Sequence, residues 1–119
     1  MKELTRATQA LSDETRVRII SLILKRECCV CEVMQALNIS QTRASRNLKV
    51  LYEAGFLNMR NDGLFTLYSI NPENGNNFRT HLLEAVRKDL QENPIARKDL
   101  QQLDKAQRTG LGPTNRLGK

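Results

Sequence analysis

"NISQTRASRNLKVLYEAGFLNMRNDGLFTLYSI", residues 38–70, changes its periodicity twice, and those changes decide the fold. Asn38 and Ile39 read as a turn, and Ser40 is placed to cap a helix. That helix repeats Ala44, Leu48 and Leu51 on one side and closes at Gly55, a residue that tolerates a left-handed end. Beyond it, two strand-like runs flank Asn61-Asp62-Gly63, and Asp-Gly between β-formers is a strong hairpin signal.

Upstream, "CEVMQALN" continues a short helix with Val30, Val33, Met34 and Leu37 on one side. Only about three residues separate it from the next, the spacing of a helix-turn-helix. With the hairpin directly after it, the chain reads as a winged helix-turn-helix, mainly α with a small β-hairpin. The preceding stretch "LSDETRVRIISLILKR" predicts a long helix capped at Ser12, with Val17, Ile20 and Leu24 inward and Ile19 and Ile23 widening the buried face. Leu4, Ala7 and Leu11 mark a short first helix. Residues 71–77 read as a loop. Leu82, Leu83, Val86 and Leu90 mark an amphipathic helix starting at Phe78, and Asn93-Pro94 starts a last, more polar and more exposed one. The expected division is 1–92 as a winged-helix DNA-binding and dimerisation domain, 93–108 as a helical extension, and 109–119 as a disordered basic tail.

The helix from Gln41 presents Gln41, Thr42, Arg43, Ser45, Arg46 and Lys49 away from its apolar stripe. Arg and Gln can each make paired hydrogen bonds to purine edges, Ser and Thr bind bases or phosphate, and Lys supplies charge. Arg43 and Arg46 are the first choices for reading bases. The wing adds Arg60, while Asp62 at its tip repels phosphate, so the hairpin chiefly completes the core. A net charge of +6 on 119 residues agrees with double-stranded DNA as partner. Three Phe, two Tyr and no Trp argue against an RNA surface of stacked aromatics. The longest apolar run, "IISLIL", is too short for a membrane span. With no signal segment seen, a cytoplasmic protein is expected.

All three cysteines, Cys28, Cys29 and Cys31, fall within four residues. On a helix Cys29 and Cys31 lie about 200° apart; on a strand they share a face while Cys28 points away. Bringing three sulfurs to one atom needs a bent junction at the start of the helix-turn-helix, which would couple ligand capture to the DNA-binding motif. Thiolates select soft acceptors. As(III) or Sb(III) fits three sulfurs. Zinc needs a fourth ligand, which Glu27 or Glu32 would have to supply, since His81 is about fifty residues away. Lys25, Arg26 and the helix N-terminus are expected to lower the thiol pKa, favouring metalloid capture and equally oxidation or persulfidation. Inert core packing of the thiols and an architectural DNA-binding protein remain as competing readings. No His or carboxylate set is positioned to activate a nucleophile, so no enzyme and no catalytic cofactor are expected.

The segments "ALSDETRVRIISLIL" and "ECCVCEV...SQTRASRNLKVLYEAGFL" resemble the ArsR/SmtB family of winged-helix repressors, over about Leu4 to Leu90. The resemblance implies a homodimer joined through the first helix and the helix at Phe78–Leu90, with Leu4, Leu11, Phe78, Leu82, Leu83, Val86 and Leu90 as interface. It also implies a repressor that leaves operator DNA on binding its inducer. A Cys-x-Cys at the start of the first motif helix is the mark of the family's arsenic-responsive branch and part of its cadmium/lead-responsive branch. Here the pair is Cys29 and Cys31. Met34 stands where arsenical forms often carry a third cysteine, and Cys28 is the candidate to replace it. His81 and Glu84 lack the partner motif of the family's zinc sensors.

Overall fold

A computed structural model describes residues 1–72 and 77–109. Residues 73–76 of the expected loop and 110–119 of the expected tail lie outside it. The elements run α1 (Lys2–Ala10), α2 (Glu14–Lys25), β1 (Cys28–Cys29), α3 (Val30–Leu37), α4 (Gln41–Glu53), β2 (Leu57–Asp62), β3 (Phe65–Ile70), α5 (Phe78–Leu90) and α6 (Pro94–Lys105).

Helix α2 is the axis of the core: Ile19, Ile20, Leu22 and Ile23 are buried, with Leu48 and Leu51 of α4 and Phe56 in the same cluster. Its cap is Asp13, whose carboxylate accepts from the amide of Arg16 at 3.1 Å. Ser12, the expected cap, donates its hydroxyl back to the carbonyl of Gln9 at 2.7 Å. Ser12 therefore finishes α1, and the carboxylate one residue on meets the positive end of α2.

The helix-turn-helix is formed as the spacing predicts. Asn38 takes a left-handed conformation (φ 56°) to end α3, and Ser40 accepts from the amide of Arg43 at 3.1 Å to start α4. Gly55 follows α4 with φ +90°. A Cβ there would also sit 2.7 Å from Nε of Arg79, which donates to the carbonyl of Ala54. The backbone angle favours glycine, and any side chain there would have to displace the Arg79 guanidinium.

The hairpin turns one residue later than expected. Asp62 still pairs with Phe65, so the two loop residues are Gly63 and Leu64. Gly63 alone of the two has positive φ (+65°), the type II′ arrangement that suits twisted strands. A third strand is new: β1 pairs antiparallel with β3, Cys28 opposite Tyr68 and Cys29 opposite Leu67, giving the order β1-β3-β2.

Helix α6 is not the exposed appendage its polarity predicts. It buries Ala96, Asp99 and Leu103 against α2 and α3. The Asp99 carboxylate, 3% exposed, accepts two hydrogen bonds from the guanidinium of Arg18, each at 2.8 Å. A buried carboxylate needs such a partner, and the paired geometry supplies it. Among the described residues no helix is long and apolar enough to cross a membrane.

Candidate DNA-reading face and thiol site

The polar side of α4 faces solvent. Gln41, Thr42, Arg46 and Lys49 are exposed, Ser45 is half-buried, and Ala44, Leu48 and Leu51 hold the opposite side in the core. Lys49 lies 4.0 Å from Glu53, one turn on, a weak surface pair. Two expected contacts are already engaged. Arg43 donates to the hydroxyl of Thr15 on α2 at 2.9 Å, so it braces α4 against α2 in addition to facing outward. Arg60 donates to both carboxylate oxygens of Glu27, at 2.9 Å each, so the wing's cation has a partner within the chain that phosphate would have to displace. That hydrogen bond holds the Glu27 carboxyl below its ordinary range, and it removes Glu27 as a free metal ligand.

The thiols divide into two groups. Strand alternation turns Cys28 into the main core, where it is fully buried and its Sγ lies 3.3 Å from the carbonyl of Arg26 as a donor. Burial foremost, and then the Glu32 carboxylate, push its pKa from 9.0 to about 12; Arg26 pulls the other way and loses. The expected lowering of the thiol pKa is thus overturned at Cys28, because desolvation of a thiolate outweighs a neighbouring cation.

Cys29 faces the opposite side of β1. The chain bends into α3 immediately after it, so Cys31 returns to the same place, and the two sulfurs are joined as a disulfide with Cα atoms 5.4 Å apart. Leu67, fully buried, and Phe65 cover the pair. The bent junction exists, but it gathers two sulfurs, not three. Among the described residues no group of three or more His, Cys, Asp or Glu is arranged to hold a metal ion. His81 stands exposed on α5. In reduced form the donor set at Cys29 and Cys31 suits an acceptor that binds two thiolates and completes its shell from solution or an added thiol.

Cys29 is also the N-cap of α3. Its Sγ accepts from the amide of Glu32 at 3.4 Å, while Glu32 Oε1 accepts from the amide of Cys29 at 2.9 Å. This is a reciprocal capping box with cysteine in the usual place of serine. Glu32, only 4% exposed, is neutralised by Arg26 at 3.0 Å and by Arg108 at 3.2 Å. Glu32 was expected only as a fourth metal ligand; its spacing of three from Cys29 is the sequence signal for a cap. Nothing local in the sequence announces Arg108.

Of the residues assigned to a dimer interface, Leu4 is 46% exposed, and Leu11, Phe78, Leu82, Val86 and Leu90 are half-buried in the single chain. Leu83 is different. It belongs to the protomer's own core at 6% exposure, and so offers little to a partner.

The model for the bacterial regulatory protein, arsR family, matches residues 13–59, from the cap of α2 into β2. The arsenic resistance transcriptional regulator ArsR2 of Pseudomonas putida is 48% identical over 66 residues, 55% of this chain and 57% of that protein. The arsenical resistance operon repressor of Staphylococcus xylosus is 31% identical over 72 residues, 60% of this chain and 69% of that one. Among solved structures, the homodimeric winged helix-turn-helix DNA-binding domain of a possible ArsR-family regulator from Mycobacterium bovis superposes with a TM-score of 0.65. It is 26% identical, over 78% of this chain and 82% of that one. The chain spans just over half the length of the Pseudomonas putida regulators it matches.

Proposed function

Because the chain belongs to the ArsR family of bacterial transcriptional regulators, we propose that it represses transcription as a homodimer on operator DNA and is released by As(III) or Sb(III) captured on Cys29 and Cys31. The observation that carries this reading is the meeting of those two sulfurs at the first residues of α3, the helix that leads into α4. Arsenous acid would form two As–S bonds to the two reduced thiols, whose protons leave with two of its hydroxyls as two waters, keeping one hydroxyl for a further donor. Cys28 takes no part, since its sulfur is in the core on the other face of β1. The arsenic-resistance names of the relatives support the choice of metalloid.

Gln41, Thr42, Arg46 and Lys49 are the residues proposed to meet DNA, with Ser45 beside them, while Arg43 sets the angle of α4. Leu4 and the apolar side of α5, less Leu83, are proposed to meet the second copy. The C-terminal boundary at residue 92 is retained as a proposal for what dimerises and binds DNA. A second reading rests on the disulfide itself: the same pair would answer an oxidant, two thiols giving two electrons and two protons to peroxide, which leaves as two waters.

The test is fluorescence anisotropy of labelled DNA from upstream of the protein's own gene, bound by reduced protein and titrated with arsenite, zinc and peroxide in parallel. Release by stoichiometric arsenite alone supports the metalloid reading. Release by peroxide that dithiothreitol reverses, with arsenite inert, transfers the site to redox sensing. DNA that stays bound through all three removes the thiol pair from regulation.

A further inference from the structure

We infer that the C-terminal extension belongs to the sensor: residues 107 and 108 latch onto the two cysteines of the pair, one each, through single side chains of α3. The inference rests on the reading of Cys29 and Cys31 as the responsive site. After α6 the chain crosses the face of α3. There the Gln107 amide donates to Oε1 of Gln35 at 3.1 Å, and Gln35 Nε2 donates to the Gln107 carbonyl at 2.7 Å. The same Nε2, with its second hydrogen, donates to the carbonyl of Cys31 at 2.9 Å. One residue on, Arg108 Nε donates to Glu32 Oε1, the oxygen that also accepts the amide of Cys29.

Each link has one shared atom, Gln35 Nε2 or Glu32 Oε1, so a shift at one end is felt at the other. If the start of α3 shifts, Glu32 Oε1 must choose between Cys29 and Arg108, and Gln35 between Cys31 and Gln107. The arm is further fixed by Arg26, which donates to the carbonyl of Leu103 while also holding Glu32. In this structure the sulfurs are together and the latch is made. On this inference pair closure and arm seating are one state, and an open pair goes with a loosened arm. Gln35, Glu32 and Arg108 are positioning residues for the thiol pair. Linkage is reciprocal: whatever factor closure contributes to seating, seating contributes to closure.

Hydrogen exchange at Gln107, read by mass spectrometry on the full chain, measures seating. Arsenite affinity, read by calorimetry, measures closure by the inducer, and diamide against dithiothreitol closes and opens the pair with no metalloid present. Closing the pair by either route is expected to slow exchange at Gln107 about fivefold, and Arg108→Gln or Gln35→Ala to weaken closure by about the same factor. Arg108→Lys, which keeps the charge, recovers part of it. Circular dichroism checks that the variants fold. If arsenite binds while Gln107 exchange and the variants' affinities stay at parent values, the latch is passive packing and the inference is wrong. If arsenite does not bind at all, the metalloid reading fails by itself. The diamide arm still decides the latch: unchanged exchange on closure overturns it.

Discussion

Cys28 and Cys29 are neighbours in the chain and strangers in the structure. The first is sealed in the main core with its proton held to about 12; the second sits on the far face of β1, bonded to Cys31 under Leu67 and Phe65. A two-residue strand separates them, because alternation sends successive side chains to opposite faces. Composition treats the three thiols as one cluster, but backbone geometry makes them a buried hydrophobe and a bonded pair. Crowding of a residue type in sequence is thus weaker evidence for a shared site than the direction each side chain takes.

The sharpest way to break this division is to remove a member of the pair. Cys31→Ser leaves one thiol and forfeits the effective concentration of the second, so arsenite affinity by calorimetry is expected to fall about 100-fold or more. Cys28→Ser is expected to do the reverse, sparing arsenite affinity while losing about 1–3 kcal/mol of stability in urea unfolding, because it buries a smaller, more polar group among apolar side chains with only the Arg26 carbonyl as partner. Equal effects of the two substitutions on affinity would restore a three-thiol site.

A smaller effect follows from the Cys28 proton. Between the ordinary value of 9.0 and about 12 the folded chain keeps a proton that the unfolded chain releases. Its contribution is therefore complete below pH 9 and is lost as pH rises toward 12. Urea midpoints at about pH 8 and about pH 10.5 should fall more for the parent than for Cys28→Ala. A parallel fall in both proteins would locate the alkaline loss elsewhere. The smallest change lies just upstream, where Glu27→Gln releases Arg60. Operator affinity plotted against salt on logarithmic axes is then expected to steepen by about one ion, as one more cation reaches phosphate. An unaltered slope would mean that the wing stays clear of the backbone.

The helix-turn-helix was legible because its signals are local. Ser40 caps where a serine before an apolar repeat should, Gly55 occupies the left-handed position, and Asp62-Gly63 locates the hairpin to within one residue. What was missed depends on partners far along the chain. Strand β1 has two residues and no period of its own; it exists because Leu67 and Tyr68 lie beside it. Asp99 reads as a solvated charge until Arg18, 81 positions away, is brought against it. The same holds within the sites. That Arg43, Arg60 and Glu27 were residues of the right kind could be read from the sequence; that each already held another residue could not.

The cap of α3 has a consequence for heredity. Serine caps helices as well as any residue, so exchanging sulfur for oxygen at position 29 would keep the cap of α3 while, on the proposed reading, abolishing the response. Quality control, which removes chains that unfold, has no purchase on such a change. At position 28 it does. On the proposed reading, the cysteine at position 29 is guarded chiefly by exposure to the inducer, and lineages spared that exposure can drift into permanently silent operons while the cap of α3 is kept.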